Sequence, residues 1–414
     1  MTQSDAHPAG WTRRSLGDLA TVHMGQSPPG KSVNDTGDGV PFLQGNAEFG
    51  TTSPTATHWC TQPGRIAEEG DLLISVRAPV GELNIADQRY CIGRGLGAIR
   101  IAEDDRAFLW AALHFERRRL NRVSQGSTFD AIGRDDLEQL PLLCPPLGER
   151  RRIAETLGAV DAAIDATRGV IEQTRRLKTA VLQDFLTRGL PGRHSEFREV
   201  KGLGQVPRAW KRMPLSKAVS YWQYGLSESL SDSGAYPCFR MNNYRNGRMV
   251  ASDLKYIDLS DKALGTYRLE RGDILFNRTN SRDLVGKIGI FDLDGDYVFA
   301  SYLVRLRTNP SIARPEFLNL LLNTAVNQER IRRLATPGVS QSNINVESLK
   351  QFRVALPSTD EQDTMIEFIA GLDDRRDREI ETQRQLVDLK TALSQALLTG
   401  RVRMPAAKGV PVAS

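Results

Sequence analysis

The stretch FNRTNSRD, from Phe276 to Asp283, puts two arginines, two asparagines, a threonine and a serine into eight positions. Another, FRMNNYRNGR from Phe239 to Arg248, holds three arginines, three asparagines and a tyrosine. These side chains share one chemistry. Arginine pairs with guanine and asparagine with adenine through two hydrogen bonds each, while serine and threonine hydroxyls suit phosphates. The candidate nucleic-acid contacts in these loops are Arg240, Asn242, Asn243, Arg245, Asn277, Arg278, Thr279, Asn280 and Ser281. A later loop adds Ser340, Gln341 and Asn343, and nearer the N-terminus Gln44, Asn46, Arg77, Ser124, Gln125, Ser127 and Thr128 hold matching places. Each residue taken singly reads as ordinary loop polarity, and only the collection points to DNA. The runs Arg117 to Arg119 and Arg150 to Arg152 read as solvated helix faces, with phosphate contact as the alternative.

Catalytic patterns are sought and not found. An amino-methyltransferase needs an Asp, Asn or Ser followed by Pro-Pro and an aromatic residue that stacks on the target base. SPPG at Ser27 to Gly30 ends in glycine, and CPPL at Cys144 to Leu147 lacks both the polar lead and the aromatic. GRGLG at Gly93 to Gly97 is a lone Gly-x-Gly with no helix behind it, and no GxxxxGK[ST] phosphate loop occurs. The carboxylates form no nuclease-like cluster with a lysine. Cys60, Cys91, Cys144 and Cys238 are far apart in sequence and form no CxxC pair, and the five histidines are scattered. Buried thiols in a reducing compartment and no metal centre are the expectation. The chain reads as a binder and scaffold that holds no cofactor itself. An unrecognised enzyme and an adaptor with protein-binding heads remain the alternatives.

The elements that would carry these loops are used twice. The chain has 414 residues, 40% hydrophobic and 25% charged, with a formal charge of +5. That suits two or three domains with real cores and a mild preference for anions. No apolar run is long enough for a bilayer, and the first residues lack an apolar signal, so the expected location is the cytoplasm. Self-similarity runs through nearly the whole length. WTRRSLGDLATVHMGQ from Trp11 is answered by WKRMPLSKAVSYWQYG from Trp210, VPFLQGN by YPCFRMN, EEGDLLISVR by ERGDILFNRT, and GELNIAD by GKIGIFD. FLWAALHFERRR from Phe108 is answered by the helix-like stretch FLNLLLNTAVNQERIRR from Phe317. Short β-type runs between Gly, Pro and Asn turns, with a helix or two, predict a mixed α+β domain in each half.

Each half then ends in a long helix with a shared closing phrase, LKTAVLQDFLT at Leu177 and LKTALSQALLT at Leu389, which agree at seven of eleven positions. In the first helix Ile153, Leu157, Val160, Ile164, Thr167, Ile171 and Thr174 recur at steps of four and three, a heptad seam. The matching positions in the second are Met365, Ile369, Leu372, Arg376, Glu379, Gln383 and Leu386, polar in the middle. A helix of some forty residues extends about 60 Å and cannot bury its stripe on one small domain. The expected fold is therefore two similar mixed α/β domains, related by pseudo-two-fold symmetry and separated by two long helices packed as an antiparallel coiled coil. Two independent helices, each capping its own domain, are the alternative. The boundaries read as a first head over 1–146, a spacer helix over 147–188, a polar linker over 189–208, a second head over 209–357, a second spacer helix over 358–403 and a tail over 404–414.

The order of these features resembles the specificity subunit of Type I restriction–modification systems, over essentially residues 11 to 403. The resemblance rests on the tandem heads, GDLLISVR and GDILFNRTNS…VGK, the helix starts PPLGERRRIAETLGAVDAAID and LPSTDEQDTMIEFIAGLDDRRDREI, and the paired LKTA endings. It implies two target recognition domains, each reading half of a split DNA sequence, and a coiled coil that sets the gap. It also implies docking of two methyltransferase (modification) subunits, which bind S-adenosylmethionine and methylate adenine, and often of restriction/translocase subunits that use ATP and Mg2+. The Gly126-Ser127-Thr128 loop and the Arg278 to Ser281 loop would lie on the DNA side. In the late loop the second head departs from the first, with PGVSQSN in place of QGSTFDA.

Overall fold

The computed structural model describes residues 8–125, 131–337 and 341–404. They form two compact units, Met1–Gly169 with Glu379–Ser414, and Val170–Arg378.

In the first unit, strand Leu72–Ser75 is buried along its whole length. A run of that kind needs cover on both faces. It lies inside a four-stranded antiparallel sheet in the order Ala20–Met24, Leu96–Ile101, Leu72–Ser75, Leu83–Ile85. Gly70, at φ +85°, makes the turn into the strand. The next residue, Asp71, is buried but satisfied. It accepts from Nε and Nη2 of Arg100 on the neighbouring strand, at 3.0 and 2.8 Å, and from the Glu68 N–H. Helix Glu103–Gln125 adds Phe108, Leu109, Leu113 and Leu120 to the same core as Leu72, Ile74 and Ile99. A five-stranded sheet follows the order Val33–Asn34, His58–Cys60, Val40–Leu43, Tyr90–Ile92, Ile66–Ala67.

The second unit repeats this plan. Strands Val219–Tyr224, Leu303–Thr308, Ile274–Asn277 and Ile288–Ile290 lie in the order of their counterparts, and two short strands extend the sheet to six. Asp273 takes the place of Asp71 and accepts from Nε and Nη2 of Arg307, at 2.6 and 3.2 Å, and from Nη1 of Arg305 at 3.3 Å. Two expectations change here. The stretch from Phe317 is not one helix but two, Pro315–Leu322 and Ala325–Arg332. Thr324 caps the second by accepting the Asn327 N–H, which restarts the chain in a new direction. The segment expected as a polar linker also carries order. Strands Phe197–Val200 and Gly204–Pro207 pair as a hairpin, and Val200 and Val206 are buried in the same core as Trp210.

The long helices run Leu147–Arg188 and Thr359–Leu398. Every expected seam position is shielded. Ile153, Leu157, Ile164, Thr167, Thr174, Met365 and Ile369 are buried, and Val160, Ile171, Leu372, Arg376, Glu379, Gln383 and Leu386 are half-buried. In the first unit Lys390 meets Asp161 at 2.5 Å, and Arg403 meets Glu149 at 2.9 Å. In the second, Lys178 meets Asp373 at 2.6 Å and Phe185 packs edge-on against Phe368. Partner numbers fall on one helix as they rise on the other, so the helices run antiparallel in each unit, and independent capping is ruled out. The ion pairs are one device used twice: 390 − 178 and 373 − 161 both equal 212. So are Glu149 and Glu361, buried in the first turn of each helix. Glu149 accepts from Trp11 Nε1, from Arg403 and from the Met404 N–H. Glu361 accepts the Leu190 N–H and lies 2.9 Å from His194 Nε2. Each carboxylate thus anchors chain just beyond the end of the opposite helix.

The arginine runs lie on partly solvated helix faces, as expected, and most of them pair with nearby groups of the same unit. Arg150 pairs with Asp105, Arg151 with Asp104, Arg117 with Glu82 and Arg119 with Glu116, and Arg152 donates to the Met404 carbonyl. All four cysteines are buried free thiols. Burial pushes Cys238 up to about 12, and burial with Cys60 alongside pushes Cys91 up to about 11. Neither is a ready nucleophile. Among the described residues no helix is long and apolar enough to cross a membrane, and no group of three or more His, Cys, Asp or Glu is placed to hold a metal ion.

Candidate nucleic-acid interface

In the second unit, strands Val219–Tyr224 and Ile274–Asn277 flank Leu303–Thr308, and both run antiparallel to it. Their C-terminal ends therefore meet the start of the middle strand at one edge of the sheet. That edge gathers Tyr224, Arg278 and Tyr302. The Arg278 N–H donates to the Tyr302 carbonyl at 3.0 Å, its own carbonyl accepts from Ile344, and Nε points to the Ser301 carbonyl at 3.4 Å. Its guanidinium lies 5.1 Å from the centre of the Tyr224 ring. The chain continues into Thr279–Asn280, which pairs with Ser342–Ile344. Thr279 Oγ1 donates to Asn343 Oδ1 at 2.9 Å. Ser281, Gln341 and Asn343 are exposed on this edge, while Asn280 is buried and accepts the Ser281 N–H.

The neighbouring loop is organised differently. Arg240 and Asn242 both donate to the Asp253 carboxylate, at 3.1 Å each. Asn243 is fully buried. Its carbonyl accepts the Arg240 N–H at 2.7 Å and its amide donates to the Ser252 carbonyl at 2.6 Å. Asn277, also fully buried, donates to the Met241 carbonyl at 3.5 Å and ties this loop to the strand. Asn243 and Asn277 therefore shape the loop and do not present an edge to a ligand. That corrects the expectation drawn from their type, because polarity in sequence does not reveal burial. Arg245 is exposed.

The first unit offers the same edge with other side chains. The Val76 N–H donates to the Gly95 carbonyl at 2.9 Å and the Ile132 N–H to the Val76 carbonyl at 3.0 Å. Val76, Gly95 and Ile132 thus stand where Arg278, Tyr302 and Ile344 stand in the second. Gly25 and Gly225 make the same close approach: a Cβ would lie 2.1 Å from the Gly93 carbonyl oxygen and 2.4 Å from that of Ala300, respectively. Arg77 is exposed and bridges to Ala131, as Thr279 pairs with Asn343. Gln44 is exposed with its backbone against Gly93 and Gly95, and Asn46 is half-buried nearby in sequence. Ser124 and Gln125 close helix Glu103–Gln125. Ser127, Thr128 and Ser340 lie outside the described residues.

Two units thus share strand order, a buried Asp–Arg clamp and an obligatory glycine. A family model described as the type I restriction modification DNA specificity domain matches residues 8–175 and again residues 197–387. The chain belongs to this family. It is 39% identical over 184 residues to a Methanocaldococcus jannaschii protein provisionally named as the type I restriction enzyme MjaX specificity subunit, covering 44% of this chain and 43% of that one. It is 23% identical over 260 residues to the type I restriction enzyme EcoKI specificity subunit of Escherichia coli K12, covering 62% of this chain and 55% of that one. The match thus spans about half the length of each of these relatives. The crystal structure of a type I restriction-modification S subunit from M. genitalium has the same fold, with a TM-score of 0.57 at 15% identity over 96% of this chain and 98% of that one.

Within this specificity-domain family framework, sequence reasoning passes over Tyr224 and Tyr302. Both are exposed aromatics, 49% and 44% accessible, at the edge where the candidate loops emerge. One signal was available. Tyr224 precedes Gly225 as Met24 precedes Gly25, so an aromatic replaces an aliphatic residue inside a shared phrase.

Proposed function

We propose that this chain is the DNA specificity subunit of a type I restriction–modification complex. Each head reads one half of a bipartite target, and the paired long helices set the gap. The observation that carries this reading is the contrast between the heads: the same backbone hydrogen bonds hold different side chains at the same sheet edge. A kept framework with changed tips is what two readers of two sequences require. In this proposal the chain holds no cofactor and performs no chemistry. S-adenosylmethionine, ATP and Mg2+ act in methyltransferase and restriction/translocase partners. Two copies of the methyltransferase are supported by the closing phrases of the long helices. Leu177 and Leu389 are 49% and 47% exposed, and Thr179, Thr391, Gln183 and Gln395 are exposed beside them. Identical side chains with no core to fill suit one partner surface met twice.

The test is to sequence methylated adenines in cells with and without this gene alongside its methyltransferase gene. A split motif that appears only with the gene is expected, and exchanging either head should change only one half of it. A continuous motif, or a motif indifferent to the gene, refutes the proposal. Leu177→Glu and Leu389→Glu should each remove one methyltransferase copy, which native mass spectrometry of the assembled complex would read.

A further inference from the structure

We propose that Tyr224 and Arg278 form a single reading element, in which the tyrosine ring holds the guanidinium ready to bind one guanine of the second head's half-site. This rests on the specificity reading above and adds a residue, a role and a base to it.

Arg278 is held differently from several arginines of its unit. Arg240, Arg248, Arg271 and Arg307 each pair with a carboxylate. Among the described residues no carboxylate pairs with Arg278; it has an aromatic ring and a backbone carbonyl instead. The ring lies against the guanidinium at 5.1 Å and Nε is turned toward Ser301, which leaves the two terminal nitrogens as the edge for a ligand. A flat fork with two parallel donors matches O6 and N7 of guanine, and a stacked guanidinium loses less freedom on binding. Nothing in the framework asks for this pair. Met24 and Val76 occupy the two positions in the first unit, and the backbone hydrogen bonds around them are the same within a few tenths of an ångström. Nor does packing ask for it, since the Tyr224 ring is half exposed. An aromatic residue and an arginine without an acid, present in one head and absent from the same place in the other, fit a device that distinguishes the two readings. Tyr224 acts here as a positioning residue.

The test uses the full complex with its methyltransferase and a pool of duplexes in which every base of both half-sites is varied. Arg278→Lys keeps the charge and loses the fork; Tyr224→Leu loses the ring; Tyr224→Phe keeps it. The expected result is that Arg278→Lys and Tyr224→Leu each reduce preference for guanine at one position of one half-site by roughly tenfold or more. Tyr224→Phe should keep that preference, and the other half-site should be unchanged in all three. A uniform loss of binding across all sequences with a shallower salt dependence would mean a phosphate contact and overturn the proposal. So would equal behaviour of Tyr224→Leu and the unaltered complex. If the unaltered complex shows no split preference, the specificity reading itself fails, and that is seen before any variant is compared.

Discussion

Asn243 and Arg278 offer hydrogen bonds of equal promise on paper, but their surroundings assign them opposite work. Asn243 is sealed in and spends its amide on two backbone groups. Asn243→Ala should therefore cost about 1–3 kcal/mol of stability, because it orphans buried partners. Denaturant unfolding would read this, with Arg278→Gln as a surface control that changes stability by about 0.5 kcal/mol or less. His114 is a half-buried polar residue that the sequence does not flag. It stacks edge-on with Trp110 at 4.5 Å. Burial, with Lys390 nearby, lowers its pKa to about 4. The folded chain thus keeps the imidazole neutral while the unfolded chain protonates it below about 6.5. Unfolded chains bind the extra proton between those values, so stability falls as pH drops from about 6.5 to 4 and is unaffected above. His114→Leu should flatten that part of a stability-against-pH curve. Glu149 acts in a lower window. Arg403 holds its pKa below the usual carboxylate value of 4.5, so its contribution is fully present above 4.5 and is lost as pH falls from there through the lowered value.

At the scale of elements, periodicity was a reliable guide wherever burial is one-sided. The four-and-three steps from Ile153 to Thr174 and from Met365 to Leu386 all face inward, including the polar ones. Leu157→Ala should cost about 2–5 kcal/mol, as a cavity at a 2% exposed site does, whereas Leu177→Ala at 49% exposure should change thermal unfolding little. Periodicity failed where a single cap decides. Residues from Phe317 on keep a helical pattern through Asn323 and Thr324, yet a hydroxyl capping three residues ahead breaks the run. It failed also between residues 189 and 208, where a polar segment with two buried valines is a hairpin. Two valines are too little signal to outweigh a polar composition.

For the whole molecule, each compact unit takes one head and part of both long helices. Inserting one heptad into each long helix at matched positions preserves the seam. The expected outcome is an altered gap between unchanged half-sites, read by sequencing methylated adenines; altered half-sites would contradict the proposed division of labour. The repeat, the long helices and their antiparallel pairing were legible in the residues alone, because a repeated phrase and a heptad stripe are one-dimensional patterns with one economical way to bury themselves. The identity of the reading edge was not. Asn277, Arg278 and Thr279 are consecutive, yet one is sealed in the core, one lies against a tyrosine from another strand and one bonds an asparagine from a later strand. Which side chain reaches solvent depends on strands far apart in sequence meeting at one edge, and only the tertiary structure brings Tyr224 to Arg278.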